Sequence, residues 1–160
     1  MKNAEDIFTL ASQAWEEDDL QKAFSLFQKA AEQNDISAQL NLGYFYDEGI
    51  GTSINKTKAL YWYTKAAENG NSSGYSNIAF LFKDQGDCST AEKYFLKAIE
   101  AGDGDAALEL AKLYLNDTRQ DNSDMAEKYL KVALNSKEIT PASVEEATKL
   151  LNQTDAGEWN

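Results

Sequence analysis

A pair of alanines spaced seven residues apart occurs four times in this 160-residue chain, with a large apolar residue midway between them. The pairs are Ala23/Ala30, Ala59/Ala66, Ala91/Ala98 and Ala126/Ala133, and the large residues are Phe27, Tyr63, Phe95 and Leu130. Seven residues are two turns of an α-helix, so each triplet lies on one helix face. Small residues on such a face let a second helix approach closely. The pattern therefore predicts four packed helices, and it identifies the aromatic stretch 59–70 as core rather than as a cofactor site.

A second apolar–small pattern precedes each alanine pair. It consists of Leu10-Ala11, Leu42-Gly43, Ile78-Ala79 and Leu110-Ala111, followed three residues after the small member by Ala14, Tyr46, Phe82 and Tyr114. The chain is thus predicted to contain four helix pairs, each with a first helix (A) and a second helix (B). The second alanines are 36, 32 and 35 residues apart, a period typical of helical repeats.

The predicted repeats divide a single repeat domain, 1–160. Their approximate bounds are 4–35, 36–71, 72–103 and 104–137, followed by a C-terminal capping helix over 140–153 and a tail over 154–160. Thr140 followed by Pro141 is typical of a helix start, and the last helix would cover the apolar end of the final repeat. Asn34, Gly70 and Gly102 are predicted to end B helices in the left-handed conformation. Capping boxes are predicted at Ser89-x-x-Glu92 and Asp124-x-x-Glu127, before the third and fourth B helices.

These motifs resemble two related repeat families. L-G-x-x-Y followed by A-x-x-x-F resembles the tetratricopeptide signature, and Ala38 to Gly70, with its "DEGIG" segment, resembles a Sel1-like repeat. The distance from the small residue of helix A to the first alanine of helix B is 12 in repeats one and three, but 16 and 15 in repeats two and four. The longer spacing is similar to the Sel1-like insertion. Repeat two departs from that family at Asn55, where an acidic residue is usual, and the next repeat departs from it at Gly74, where the unit usually opens with alanine.

The resemblance implies a right-handed α-solenoid of about four antiparallel helix pairs that serves as a non-catalytic protein-interaction module. Catalytic chemistry has little basis in the sequence. There is no histidine, which excludes an imidazole base or a histidine metal ligand. Cys88 has no histidine to activate it, and Asp103 to Asp105 is too short for a calcium loop. We therefore expect no catalytic residue, no metal site and no cofactor.

The charge balance suggests the kind of partner. Twenty-seven acidic residues against 15 basic ones give a net charge of −12, which disfavours nucleic acid and anionic membranes and favours a basic protein. The first residues contain no apolar run typical of a signal peptide, and the lone Cys88 cannot form an intramolecular disulfide. These features predict a cytoplasmic protein.

The A helices of a solenoid line its concave face, so the positions −3, +1 and +4 from each small residue are predicted to face a partner. Besides Ser12, they are Phe8 and Trp15, Leu40, Tyr44 and Asp47, Ser76, Phe80 and Lys83, and Leu108, Lys112 and Leu115, with Glu48 at the rim. The alternative is a slightly different helix rotation, in which Phe8, Trp15 and Phe80 pack inward.

Several roles fit such a surface. The leading hypothesis is the binding of a protein or peptide, and its sharper version is a stand-alone inhibitor such as an immunity protein against a basic toxin. The alternatives are a regulatory subunit or adaptor of an enzyme complex, or an enzyme. The identity of the partner and the oligomeric state stay open at this stage.

Overall fold

The computed structural model describes residues 3–117 and 122–155, and within these ranges the regular secondary structure is entirely α-helical. Nine helices lie in the described part of the chain: α1 (Ala4–Glu16), α2 (Leu20–Glu32), α3 (Ile36–Glu48), α4 (Lys56–Glu68), α5 (Ser73–Asp84), α6 (Cys88–Glu100), α7 (Gly104–Leu115), α8 (Ser123–Leu134) and α9 (Pro141–Asp155). The predicted all-α class is confirmed. The helix pairs α1/α2, α3/α4 and α7/α8 pack against each other, as do α2/α3, α6/α7 and α8/α9.

The segments between A and B helices follow the spacing of the sequence patterns. Residues 17–19 and 85–87 separate the helices of repeats one and three, whereas 49–55 and 116–122 separate those of repeats two and four. The four extra residues in repeats two and four therefore lie between the A and B helices, as the Sel1-like pattern predicted.

The core of each helix pair is the predicted small-and-large face. All eight paired alanines are 0% exposed, and Phe27, Tyr63, Phe95 and Leu130 are at most 1% exposed. Within the helix-A motifs, Leu42, Ile78 and Leu110 are also fully buried. A methyl group at these contacts lets helix backbones approach, while the large side chain between the two alanines fills the remaining space.

Helix ends agree only partly with the sequence patterns. Asn34, Gly70 and Gly102 have φ values of 66°, 99° and 95°, so the predicted left-handed stops are confirmed. The two predicted capping boxes are wrong. Helix α6 begins at Cys88 because Asp87 accepts a hydrogen bond from the Thr90 amide, which places Ser89 inside the helix. The N-cap of α8 is Asn122, so Asp124 lies in the first turn.

Two glycines, Gly51 in repeat two and Gly74 in repeat three, are required by close backbone contacts. Gly51, at φ +62°, would place a Cβ atom 2.2 Å from the carbonyl oxygen of Leu20, at the start of α2. Gly74 would place one 2.6 Å from the carbonyl oxygen of Tyr63. The departure from alanine at Gly74 therefore reflects an unusually close approach of α5 to α4.

Helix α9 begins at Pro141, and Thr140 caps it by accepting the amide of Ser143 at 3.3 Å. It packs mainly on α8 through the buried side chain of Ala147. It extends to Asp155, two residues beyond the predicted end. The rest of the predicted tail, including Trp159, lies outside the described residues.

Contacts divide the chain into two compact units, an N-terminal unit (Met1–Leu81) and a C-terminal unit (Phe82–Asn160). The division falls inside α5. In repeat arrays each repeat contacts only its neighbours, so contacts are local along the whole chain.

Candidate protein-binding surface

In the N-terminal unit, four aromatic rings of α1 and α3 lie together with one ring of α2. Trp15 lies 6.1 Å from Phe27, 5.1 Å from Phe45 and 6.1 Å from Tyr44 between ring centroids. Phe8 lies 5.8 Å from Phe27. Phe27 and Phe45 are 0% exposed, so the cluster has a buried floor.

The cluster opens to solvent at Trp15 and Tyr44. Their side chains are 36% and 40% exposed, although both contact neighbouring rings. Leu40, one helical turn before Tyr44 on α3, is half-buried. We call Trp15, Leu40 and Tyr44 the aromatic surface. Phe8 is half-buried against Phe27, which matches the inward packing that the sequence left open for it.

Acidic residues lie at the C-terminal ends of the two helices that carry the aromatic surface. Glu16, Asp18 and Glu48 are exposed, and none of them forms an ion pair within the described residues. Neither α1 nor α3 has a basic residue in its last turn. The carbonyl end of a helix is itself negative, so the potential beside Trp15 and Tyr44 favours cations.

Asp47, a predicted partner-facing residue, is already engaged within the N-terminal unit. Its carboxylate pairs with the ammonium of Lys56 and accepts a hydrogen bond from the Tyr63 hydroxyl at 3.2 Å. Burial and the neighbouring Asp47 carboxylate raise the pKa of Tyr63 above its ordinary value. Asp47 therefore ties the end of α3 to α4 across the repeat-two insertion. Lys56 carries no sequence signal for this role, because nine residues and a loop separate it from Asp47.

The other predicted groove residues differ widely in accessibility. Ser76 and Leu108 are only 8% and 2% exposed. Leu108 is a core residue and cannot contribute a contact surface, and Ser76 contributes little. Phe80 and Leu115 are half-buried.

Two predicted lysines of the C-terminal unit form a network of ion pairs. The Lys83 ammonium lies 3.1 Å from Glu109, and that of Lys112 lies 2.6 Å from Glu109 and 3.2 Å from Glu146. Burial lowers the pKa of Lys112, but hydrogen bonds and the charges of Glu109 and Glu146 outweigh it and raise that pKa overall. These lysines are neutralised locally, and Glu146 links α7 to α9.

Side chains suited to catalysis are scarce in the described ranges. No group of three or more Cys, Asp or Glu side chains there could hold a metal ion. Cys88 is half-buried at the first position of α6. On the same unit Tyr114 donates a hydrogen bond to Glu92 at 2.6 Å, and burial together with that carboxylate raises its pKa. This pair joins α7 to α6.

Comparison with known proteins places the repeats in a family. The Sel1 repeat family matches residues 16–35, 36–71, 82–103 and 104–136, more than half of the chain. The chain belongs to the Sel1 repeat family. Sel1 repeats mediate protein–protein interactions and are generally not catalytic. No helix of the described residues is long and apolar enough to cross a lipid bilayer.

Relatives share the repeat but are much longer. A putative sel1-like repeat-containing protein of Acanthamoeba polyphaga mimivirus is 31% identical over 114 residues, 71% of this chain and 21% of its own length. The ERAD-associated E3 ubiquitin-protein ligase component HRD3B of Arabidopsis thaliana is 32% identical over 96 residues, 59% of this chain and 16% of its own length. The chain thus spans about a fifth or less of these curated relatives.

Solved structures confirm the fold class. A Sel1 repeat protein from Oxalobacter formigenes aligns with a TM-score of 0.75 and 32% identity, covering 94% of this chain and 61% of that one. A protective antigen of uropathogenic Escherichia coli that displays an SLR fold aligns with a TM-score of 0.74 and 18% identity, covering 97% and 38%. The predicted α-solenoid of helix pairs is therefore confirmed.

Proposed function

We propose that the chain is a non-catalytic binding module whose N-terminal unit holds a segment of a protein partner on the aromatic surface. The observation that carries this proposal is the exposure of Trp15 and Tyr44, whose rings lie side by side on two A helices. Aromatic residues are enriched at the cores of protein interfaces and depleted from ordinary surface. A ring pair on a rigid, buried floor loses little conformational entropy when a partner covers it.

Charge indicates a basic partner. The net charge of −12 steers cationic proteins toward the chain, and Glu16, Asp18 and Glu48 place carboxylates around the aromatic surface. The same charge disfavours nucleic acid as the partner.

A decisive test uses a partner captured from the native host and identified by mass spectrometry. Tyr44→Ala should speed dissociation of that complex about tenfold or more, because truncated aromatic anchors act mainly on the dissociation rate. Trp15→Ala should act in the same direction, although it also removes contacts with the buried rings. Tyr61→Ala is the matched control, since Tyr61 is 53% exposed but lies on α4, away from the aromatic surface. Equal dissociation rates for Tyr44→Ala and Tyr61→Ala, with unchanged circular dichroism, would refute the proposal.

The inhibitor and adaptor roles differ in what binding accomplishes. An immunity protein binds a toxin and abolishes its activity, whereas an adaptor joins components of a complex. The relative HRD3B is described as a ligase component, which supports the adaptor role; the acidic charge and a basic partner support the inhibitor role. Co-expression with the product of a neighbouring gene separates the two. Rescue of growth identifies an inhibitor, and co-purification without any toxicity to relieve identifies an adaptor.

A further inference from the structure

We propose that the aromatic surface recognises an arginine side chain of the partner, with the guanidinium packed on Trp15 and Tyr44 and paired with Glu48. The inference rests on the proposed function, since it names the chemical group by which the partner is held. This arginine would lie in an accessible segment of a basic protein.

Internal lysines cover other tyrosines of this chain but not these two rings. Lys58 lies 4.9 Å from the ring centroid of Tyr46, and Lys65 lies 5.9 Å from that of Tyr61. The same arrangement recurs for Lys97 over Tyr94 and Lys128 over Tyr129, at 4.9 Å and 5.1 Å. Within the described residues no lysine lies over Trp15 or Tyr44. Aromatic faces attract cations. Four other tyrosines bind a lysine of the chain itself, whereas the faces of Trp15 and Tyr44 remain able to bind a cation from a partner.

The last turns of α1 and α3, beside the rings, differ from those of the B helices. All four B helices, α2, α4, α6 and α8, carry a lysine in the last turn, namely Lys29, Lys65, Lys97 and Lys131. Helices α1 and α3 have none there, although they end in a glutamate (Glu16 and Glu48) just as α2, α4 and α6 do. A carboxylate at the carbonyl end of a helix is repelled by the helix dipole. At the end of α3 the Lys56 ammonium offsets part of this repulsion by pairing with Asp47, and a bound cation would relieve the part that remains at Glu48.

The geometry favours arginine over lysine. The rings of Trp15 and Tyr44 are inclined by 43° and do not cover each other face to face, so exposed π surface remains on both. Glu48 lies one helical turn beyond Tyr44 on α3 and is exposed. A planar guanidinium can stack on an aromatic face and still donate two parallel hydrogen bonds to a carboxylate. An ammonium is a strongly hydrated point charge and cannot stack in this way.

The test uses short peptides as probes and the indole N–H resonance of Trp15 in the full chain as the signal. Trp15→Phe assigns that resonance. The peptide acetyl-Gly-Gly-Arg-Gly-Gly-amide should shift it saturably, with the lysine peptide binding more weakly and the neutral citrulline peptide producing no saturable shift. Glu48→Gln should weaken the arginine peptide at least about threefold, as expected for loss of one partly screened charged contact. Glu68→Gln is the control, because Glu68 is an exposed last residue of α4 in the same unit and should change nothing.

The outcomes separate this inference from the proposed function. Equal binding of the arginine and citrulline peptides, or binding that Glu48→Gln leaves unchanged, would overturn the inference. If Tyr44→Ala still weakens the captured partner in that case, the protein-binding proposal stands and only the arginine assignment fails. If the peptide binds as expected but Tyr44→Ala leaves the partner complex unchanged, the surface binds arginine and the partner docks elsewhere.

Discussion

Close contacts with the backbone of a neighbouring helix determine which amino acid certain positions of this chain can hold. At Gly74 an added Cβ atom would lie 2.6 Å from the Tyr63 carbonyl oxygen and 2.7 Å from the Ala67 backbone nitrogen. Both neighbours belong to a helix backbone, which cannot rotate away as a side chain can. Gly74 departs from the family pattern because the local packing requires a glycine there.

We expect Gly74→Ala to destabilise the chain by about 1–3 kcal/mol, because the methyl group forces α4 and α5 apart. This outweighs the advantage of about 1 kcal/mol that alanine normally has over glycine inside a helix. Urea unfolding followed by circular dichroism measures the change. Ser25→Ala, at an exposed position of α2, is the control and should be neutral or slightly stabilising. A Gly74→Ala variant at least as stable as the parent would contradict the close approach.

The Tyr63 hydroxyl makes stability sensitive to alkaline pH. Its pKa in the folded chain lies above the ordinary value of 10.0 because of burial and the Asp47 carboxylate. A group whose pKa is raised in the folded state makes its full contribution to stability below the unfolded-state pKa. That contribution is lost as the pH rises from the unfolded-state pKa through the folded-state pKa. Unfolding free energy should therefore fall from about pH 10 upward, and less steeply in Tyr63→Phe than in the parent. Parallel slopes for the two proteins between pH 9 and 11 would show that Tyr63 does not carry this sensitivity.

At the scale of helices, stability comes from faces that combine small and large residues. Each paired alanine is fully buried, and α2, α4 and α6 each bury only one large side chain besides alanine. Packing of these helices therefore depends on close backbone approach as much as on bulk. The helices are only 12–15 residues long. Isolated helices of that length are marginal in water, so each depends on its neighbours.

Enlarging one alanine face in each unit tests this arrangement. Ala66→Leu in α4 and Ala98→Leu in α6 should each cost about 1–3 kcal/mol, since overfilled contacts force backbone shifts. Thermal and urea unfolding give the measurement. Ala142→Leu is the matched control, because Ala142 lies exposed on α9 and has room for the larger side chain. Melting curves that coincide for all three variants would mean that the alanine faces are not tightly packed.

At the scale of the whole molecule, the dominant property is negative charge. Asp47 is not available for steering a partner, because Lys56 and Tyr63 already hold it. The free carboxylates of Glu16 and Glu48 are the appropriate positions for charge reversal. Each reversal changes the charge by two, so the double variant moves the net charge from −12 to −8.

Glu16→Lys combined with Glu48→Lys should slow association with a basic partner and flatten its dependence on salt. The same variant should be as stable as the parent or slightly more stable, because lysine is favourable at a helix C-terminus. Stopped-flow binding at two salt concentrations and urea unfolding give the two readouts. Reversal of two exposed acids elsewhere, Glu68→Lys with Glu100→Lys, makes the same change in net charge. If both double variants slow association equally, the steering comes from total charge and not from the aromatic surface.

The sequence alone determined the helical repeat, because a seven-residue alanine period and a repeat length of 32–36 residues are local regularities that few folds share. It also predicted the longer segments in repeats two and four and the left-handed helix ends, which depend on spacing and on residue type. The tertiary structure decided which predicted surface residues are accessible. Trp15 and Tyr44 are exposed, Leu108 is buried, and Asp47 is held by Lys56. Such differences depend on helix rotation by a few tens of degrees and on pairing across a loop. The spacing of residues along one helix predicts neither of them.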